Sequence, residues 1–443
     1  MRTSISALSR LIHRLDVTPS DLVAKLMERI EQFDGELHAY LTINHKIGEE
    51  ARRLTLELKK GKTRSLLHGI PVSVKDLIDT TGIRTTYGSR FYGRNIPRRD
   101  AAVVKSLKAN GALILGKTNC DEFGLGIESP PTRNPWDKTR MAGGSSGGSA
   151  AALGADLAIA SLGTDTGGSI RIPSSFCGVT GLKPTYGKLS MAGIFPASKT
   201  LDHVGPMCRF ASDLPLLLKA MGYAPLRPRR QTSPVVLALV KEFADQAPVR
   251  IRRAIDRCLD KIVSENIAQV TEIKLSILDA LFQASETIDF AEVAWVHKRL
   301  FSSRPSLYRP SSRQLIEEGL KVTRTDYLAA QAVRRKIAKS LVTLAKEYHV
   351  LVTPAVLSQV PTARSTISAK EYYSLIAPSE VFNALGWPSL VAPVGFSNKM
   401  PIGVQFVGSP EKDELVVRLA SEYQETTEWH TLTPARYHEI DIE

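Results

Sequence analysis

The sequence predicts an α/β fold, a central sheet covered by helices. Three observations point there. Short β-branched runs, clearest in His68-Gly69-Ile70-Pro71-Val72-Ser73-Val74-Lys75-Asp76, alternate through the first half with segments whose apolar residues recur at helical spacing. Apolar runs at 350–354, 389–393 and 403–408 restore the strand pattern after a long helical middle. The composition, 43% hydrophobic and 23% charged over 443 residues, is that of a soluble globular chain with enough apolar material for a large core. A chain this long can form several domains or build on one large sheet, so length does not fix the domain count.

Taken in order, Thr18-Pro19-Ser20-Asp21 supplies a cap, an early proline and an acid ahead of Leu22-Val23-Ala24-Lys25-Leu26, which predicts an amphipathic helix. Residues 51–60 add another. The run 68–76 reads as a strand whose polar end carries Lys75 and Asp76. Residues 101–110 read as a helix and 112–117 as a buried strand. A helix is expected over 149–160, with 157–162 supplying either its end or a strand. Residues 225–234, rich in proline and arginine, read as a connector joining two lobes or opening an excursion on one domain. Strongly helical patterns follow at 249–263, 277–301 and 327–348. The sequence holds no internal repeat and no low-complexity tract.

Composition excludes several function classes. Cys120, Cys177, Cys208 and Cys258 form no C-x-x-C pair and no dense framework, which argues against a zinc ribbon or a disulfide scaffold and fits reduced thiols in a cytoplasmic protein. The N-terminus is broken by charge before any secretory apolar run develops, and no stretch reaches 18 apolar residues, so no membrane association is expected. The net charge of +13 is spread along the chain. Its densest cluster, Arg227-Pro228-Arg229-Arg230, has no interleaved aromatics for base stacking, so direct nucleic-acid binding is not expected. The nine histidines form no H-E-x-x-H or comparable set, so neither a metal nor another cofactor is expected.

The chemistry concentrates in 141–186, where two glycine-serine turns place Ser145 and Ser169 24 residues apart on either side of an alanine-rich segment. Neither turn has the lysine of a phosphate-binding G-x-x-x-x-G-K-[ST] loop. Gly143-Gly144-Ser145-Ser146-Gly147 satisfies G-x-S-x-G, yet the preceding Asn134-Pro135-Trp136-Asp137 is no strand, as a nucleophile elbow requires. Glycines serving tight turns alone would explain one such loop well and two, with Lys75, less well.

A further reading uses all of these residues. The chain resembles the amidase signature family through Val72-Ser73-Val74-Lys75-Asp76, Gly116-Lys117-Thr118-Asn119, Asn134-Pro135-Trp136-Asp137 and Gly143-Gly144-Ser145-Ser146-Gly147-Gly148-Ser149. The likeness continues in Gly163-Thr164-Asp165-Thr166-Gly167-Gly168-Ser169-Ile170-Arg171, in 178–185 and in Gly403-Val404-Gln405. The resemblance implies a mixed sheet with helices on both faces, as one domain: a helical region 1–66, a signature core 67–222, and a helical excursion with sheet return over 223–443. It implies Ser169 as the acyl-forming nucleophile, Ser145 as a bridging serine on a cis peptide and Lys75 as the base. It places an oxyanion hole at the backbone N–H groups of Thr166, Gly167, Gly168 and Ser169. Such an assignment is chemically coherent: a serine is a poor nucleophile until a neighbour takes its proton, and a lysine does so only when burial lowers its pKa. Asp165 and Arg171 are expected to pair and hold the nucleophile loop, Ser146 to support the relay, and Cys177 to be a small buried residue.

The family includes free-standing amide hydrolases and the glutaminase component of a tRNA-dependent amidotransferase. Residues 116–137 and 183–187 look similar to that component. Residues 284–290 depart from its asparagine-alanine-arginine-rich pattern, and 311–338 lack its K-R-R-I segment. A stand-alone amidase acting on a small-molecule amide is therefore expected, with homodimerisation open and amidotransferase partner subunits implied only by the other reading. A Ser-His-Asp hydrolase and a non-catalytic relative rank below both. Residues 122–129, the helical middle and the C-terminal strands are expected to form the acyl pocket.

Overall fold

A computed structural model describes residues 3–224, 234–363 and 367–437. Its strands are β1 (Tyr40–Ile43), β2 (Pro71–Lys75), β3 (Leu113–Thr118), β4 (Ala160–Asp165), β5 (Thr180–Lys183), β6 (His203–Cys208), β7 (Val236–Val240), β8 (Gln269–Ile273), β9 (Val350–Pro354), β10 (Ser389–Ser397) and β11 (Met400–Gly408). They form one sheet in the order β1-β3-β2-β4-β6-β5-β10-β11-β9-β7-β8. The sheet is mixed. β2 runs parallel to β3 and β4, the stretch from β4 to β9 is antiparallel throughout, and β7 runs parallel to both β9 and β8.

The helices are α1 (Ile5–Arg14), α2 (Pro19–Leu37), α3 (Ile47–Lys59), α4 (Ala102–Ala109), α5 (Gly147–Gly154), α6 (Arg171–Cys177) and α7 (Leu214–Ala220). The second half adds α8 (Lys241–Ala244), α9 (Val249–Ser264), α10 (Leu278–Ser303), α11 (Pro310–Lys321), α12 (Arg324–Glu347), α13 (Ala369–Ala384) and α14 (Asp413–Glu425). They cover both sheet faces, as strand periodicity requires. Leu237, Leu239, Val350 and Val352 pack in a core with α1, α4, α7, α9 and α14. Their alternating neighbours Ala238, Val240 and Leu351 join the opposite core with α6, α10, α12 and α13. With both faces covered, the central strands are buried at every position, which is why they read as continuous apolar runs.

Most sequence expectations hold within a few residues. The cap at Thr18 is a full capping box: its hydroxyl accepts from the Asp21 N–H at 3.2 Å, and the Asp21 carboxylate accepts from the Thr18 N–H at 2.9 Å. One element is overturned. The helix expected over 149–160 ends at Gly154, and the chain enters β4 at Ala160. Asp156 takes a left-handed φ of 56°, with its carboxylate held 2.7 Å from the Arg209 guanidinium, and this turn stops a helix that alanine propensity would have extended. The connector expected at 225–234 lies, except for Pro234, outside the described residues. All four cysteines are free and buried. Among the described residues, no helix is long and apolar enough to cross a membrane.

Candidate active site

Three neighbouring strands carry the site. β2 ends on Lys75, which is fully buried between β3 and β4. Its Nζ donates to Ser145 Oγ at 2.7 Å and to Thr164 Oγ1 at 2.8 Å. Burial lowers its pKa to about 8, against the pull of the more distant Cys120, Asp165, Asp121 and Asp202. A neutral amine is thus accessible near physiological pH, which a solvated lysine does not offer.

Ser145 sits on a cis peptide after Gly144. Glycine is required at 144, because a Cβ there would lie 2.0 Å from the Glu128 carbonyl oxygen. The Ser145 carbonyl accepts from the Asp121 N–H at 3.3 Å and from Ser129 Oγ at 3.2 Å, which fixes the loop from behind. Ser146 ties the two serine loops together. Its backbone N–H donates to the Ser169 carbonyl at 3.1 Å, and its hydroxyl donates to the Thr164 carbonyl at 3.1 Å.

Ser169 follows β4 and is 7% exposed, at the wall of a pocket that it shares with Thr166, Gly167 and Ile172. Among the described residues its hydroxyl makes no hydrogen bond, so the structure joins Lys75 to Ser145 directly but brings Ser169 near them only through the loop backbone. Catalytic hydrogen bonds are often loose without substrate. The expected oxyanion hole needs one correction. The Gly168 N–H donates to Asp165 Oδ1 at 2.9 Å and is not available to substrate. The N–H groups of Thr166, Gly167 and Ser169 have no acceptor among the described residues, and Thr166 and Gly167 line the same pocket as Ser169.

Asp165 and Arg171 pair as expected. The guanidinium donates from Nε at 3.0 Å and from Nη2 at 2.8 Å to the two carboxylate oxygens, both side chains being fully buried. Burial alone would raise the Asp165 pKa, but the Arg171 charge and hydrogen bonds hold it well below the usual range. Sequence reasoning missed what completes this pair. Arg171 Nη1 also donates to the Ser379 carbonyl at 2.9 Å and to Gln405 Oε1 at 2.6 Å, and Asn383 Nδ2 donates to Asp165 Oδ1 at 2.9 Å. Thr164 on Lys75, and Asp202, which accepts from Thr166 Oγ1 at 2.6 Å, were missed likewise. Thr164 and Gln405 left a sequence signal, within the motifs 163–171 and 403–405, whereas Asn383 and Asp202 left none. Cys177 is buried with its thiol on the Ala142 carbonyl at 3.4 Å, and burial pushes its pKa up, away from nucleophilic use.

Lys75 at the end of β2 thus bonds one glycine-serine loop, and that loop bonds the second, whose Ser169 opens on a pocket. The chain belongs to the Amidase family, whose model matches residues 21–417. It is 33% identical over 477 aligned residues to the A subunit of glutamyl-tRNA(Gln) amidotransferase from Moorella thermoacetica, covering 96% of this chain and 97% of that protein. It is 34% identical to the Thermus thermophilus counterpart of the same name, over 94% of this chain and 95% of that one. A crystal structure of an amidase superposes with a TM-score of 0.89 at 32% identity, covering 96% of this chain and 99% of the other.

Proposed function

We propose that the protein cleaves a carboxylic acid amide through an ester on Ser169, with Ser145 and Lys75 as the proton relay. One observation carries this reading: the 2.7 Å contact between a fully buried Lys75 amine and Ser145 Oγ, on a loop bonded to the Ser169 backbone. Neutral Lys75 takes the Ser145 proton, Ser145 takes that of Ser169, and Ser169 Oγ attacks the amide carbon. The N–H groups of Thr166, Gly167 and Ser169 receive the developing oxyanion, a donor of this kind contributing about 3 kcal/mol. As the C–N bond breaks, the relay runs backwards and protonates the departing nitrogen. Water then adds to the ester with its proton passing along the same path, releasing the acid and Ser169.

At finer resolution, the relatives named as amidotransferase A subunits favour a chain that passes its ammonia to a partner protein. They outweigh the departures at 284–290 and 311–338 that pointed to a stand-alone amidase. One specific observation supports the stand-alone reading: none of the described residues lining the pocket is Lys or Arg, so no cation there pairs with the carboxylate of free glutamine. Ammonia release decides between them. Hydrolysis of simple amides by the purified chain supports a stand-alone enzyme, and glutamine turnover only with the other amidotransferase components added supports the amidotransferase reading. Inactivity in both, with no fluorophosphonate label on Ser169, overturns the amide-hydrolase proposal.

A further inference from the structure

The pocket that holds Ser169 is acidic on its far side and has no base to balance it. Asp289 on α10 lines it beside Tyr372 and Ile376 of α13, and its Oδ1 is buried without a hydrogen-bond partner. Glu380 lies one turn beyond Ile376. It is 2% exposed, its Oε1 has no partner, and its Oε2 lies 3.3 Å from where a Cβ on Gly167 would stand, against the loop that carries the oxyanion donors. Glu286 precedes Asp289 by one helical turn.

The charges around these carboxyls are nearly all of one sign. Asp289 feels Asp202, Glu292 and Glu286; Glu380 feels Asp289, Glu286 and the distant Arg171, whose guanidinium is already engaged by Asp165, Asn383 and Gln405. Glu292 is satisfied separately by Ser198, Thr200 and Tyr327. Burial and mutual repulsion raise the pKa of Asp289 and Glu380, and burial raises that of Glu286 to about 7. In a chain with 58 Lys and Arg against 45 Asp and Glu, such a cation-free acidic wall does not follow from composition. Unpaired buried carboxyl oxygens are costly unless a ligand completes them. A metal ion is not the fit, because among the described residues no three His, Cys, Asp or Glu side chains are grouped to hold one.

We propose that Asp289, with Glu380 and Glu286 behind it, forms a subsite for a primary ammonium group on the acyl portion of the substrate, so that the preferred amides are those bearing an amine. The proposal rests on the amide-hydrolase reading of Ser169. The ammonium donates N–H bonds to Asp289 Oδ1 and Glu380 Oε1, which otherwise lack partners, and the apolar Ile127, Ile172 and Ile376 enclose the methylene chain between it and the amide. Burial and mutual repulsion favour the protonated carboxyls, whereas a bound ammonium favours the ionised form, so its binding releases protons to the buffer.

The test is calorimetric binding of ω-amino amides of three to six carbons, each against its uncharged alkyl amide of equal length, to the Ser169→Ala protein. At least one amino amide should bind roughly tenfold or more tighter than its neutral counterpart, as expected for charge-assisted hydrogen bonds. Proton release should appear in buffers of differing ionisation enthalpy. Asp289→Asn and, separately, Glu286→Gln should erase the preference. Equal or weaker binding of every amino amide, or no binding by any member at millimolar concentration, overturns the subsite. Turnover by the unaltered enzyme is read separately. Failure to hydrolyse any amide counts against the Ser169 reading, whereas hydrolysis of charged and neutral amides with equal kcat/KM counts against the subsite alone.

Discussion

At the scale of single residues, the surroundings of one lysine reverse its usual character. Lys75 is an ammonium below about pH 8 and a base above it, so kcat/KM should rise about tenfold per pH unit on the acid side and level off near 8. A profile flat from pH 6 to 9 would contradict the assignment. Lys75→Met should lower kcat/KM by roughly a thousandfold or more, measured on the same amide. Asp165→Asn should act on stability instead. It leaves the Arg171 guanidinium fully buried without its counter-charge, a loss of about 3–5 kcal/mol in urea unfolding. The folded pKa of Asp165 lies below its unfolded value, so the pair's contribution is complete above about pH 3.9 and fades as pH falls below that. Lys75, Ser145 and Ser169 were legible because their neighbours along the chain form contiguous motifs. Asn383, Asp202 and Glu380 were not, because each meets the site only through the tertiary fold, and isolated polar residues in apolar helices or near strand ends have no local signature.

At the scale of elements, the site depends on backbones that approach each other more closely than side chains permit. Gly144→Ala would drive a Cβ into the Glu128 carbonyl, displacing the Ser145 loop, so activity should be lost along with about 1–3 kcal/mol of stability. Gly35→Ala provides the contrast. It lies inside α2 with nothing within 4 Å of the added Cβ, and should leave activity intact while stabilising by about 0.5–1 kcal/mol in thermal unfolding. Long helices such as α2, α9 and α12 were readable because their apolar spacing repeats over several turns. The end of α5 was misread for a definite reason: Ala150-Ala151-Ala152 favours helix at every step, and the stop comes from Arg209, 53 residues away, capturing Asp156.

At the scale of the whole molecule, the sheet draws strands from all three segments the sequence delimits: β1 from 1–66, β2 to β6 from 67–222, and β7 to β11 from 223–443. Arg171 reinforces that union by joining the nucleophile loop to α13 and β11. One cooperative unit is the expectation, and circular dichroism and tryptophan fluorescence should report a coincident urea transition. Two separated transitions would show that the helical excursion unfolds alone. The arrangement of β1 beside β3, or of β5 between β6 and β10, was beyond sequence reading, because strand order depends on which apolar faces meet after distant segments return.

Everything in the proposed reaction depends on an ester on Ser169 formed through Lys75. Its most direct test is mass spectrometry of the protein mixed with an amide substrate and quenched in acid within milliseconds. The expected result is an added mass equal to the acyl group, mapping to the peptide containing Ser169 and absent in Lys75→Met. An adduct on Ser145 or Cys177, or one formed equally fast without Lys75, would contradict it.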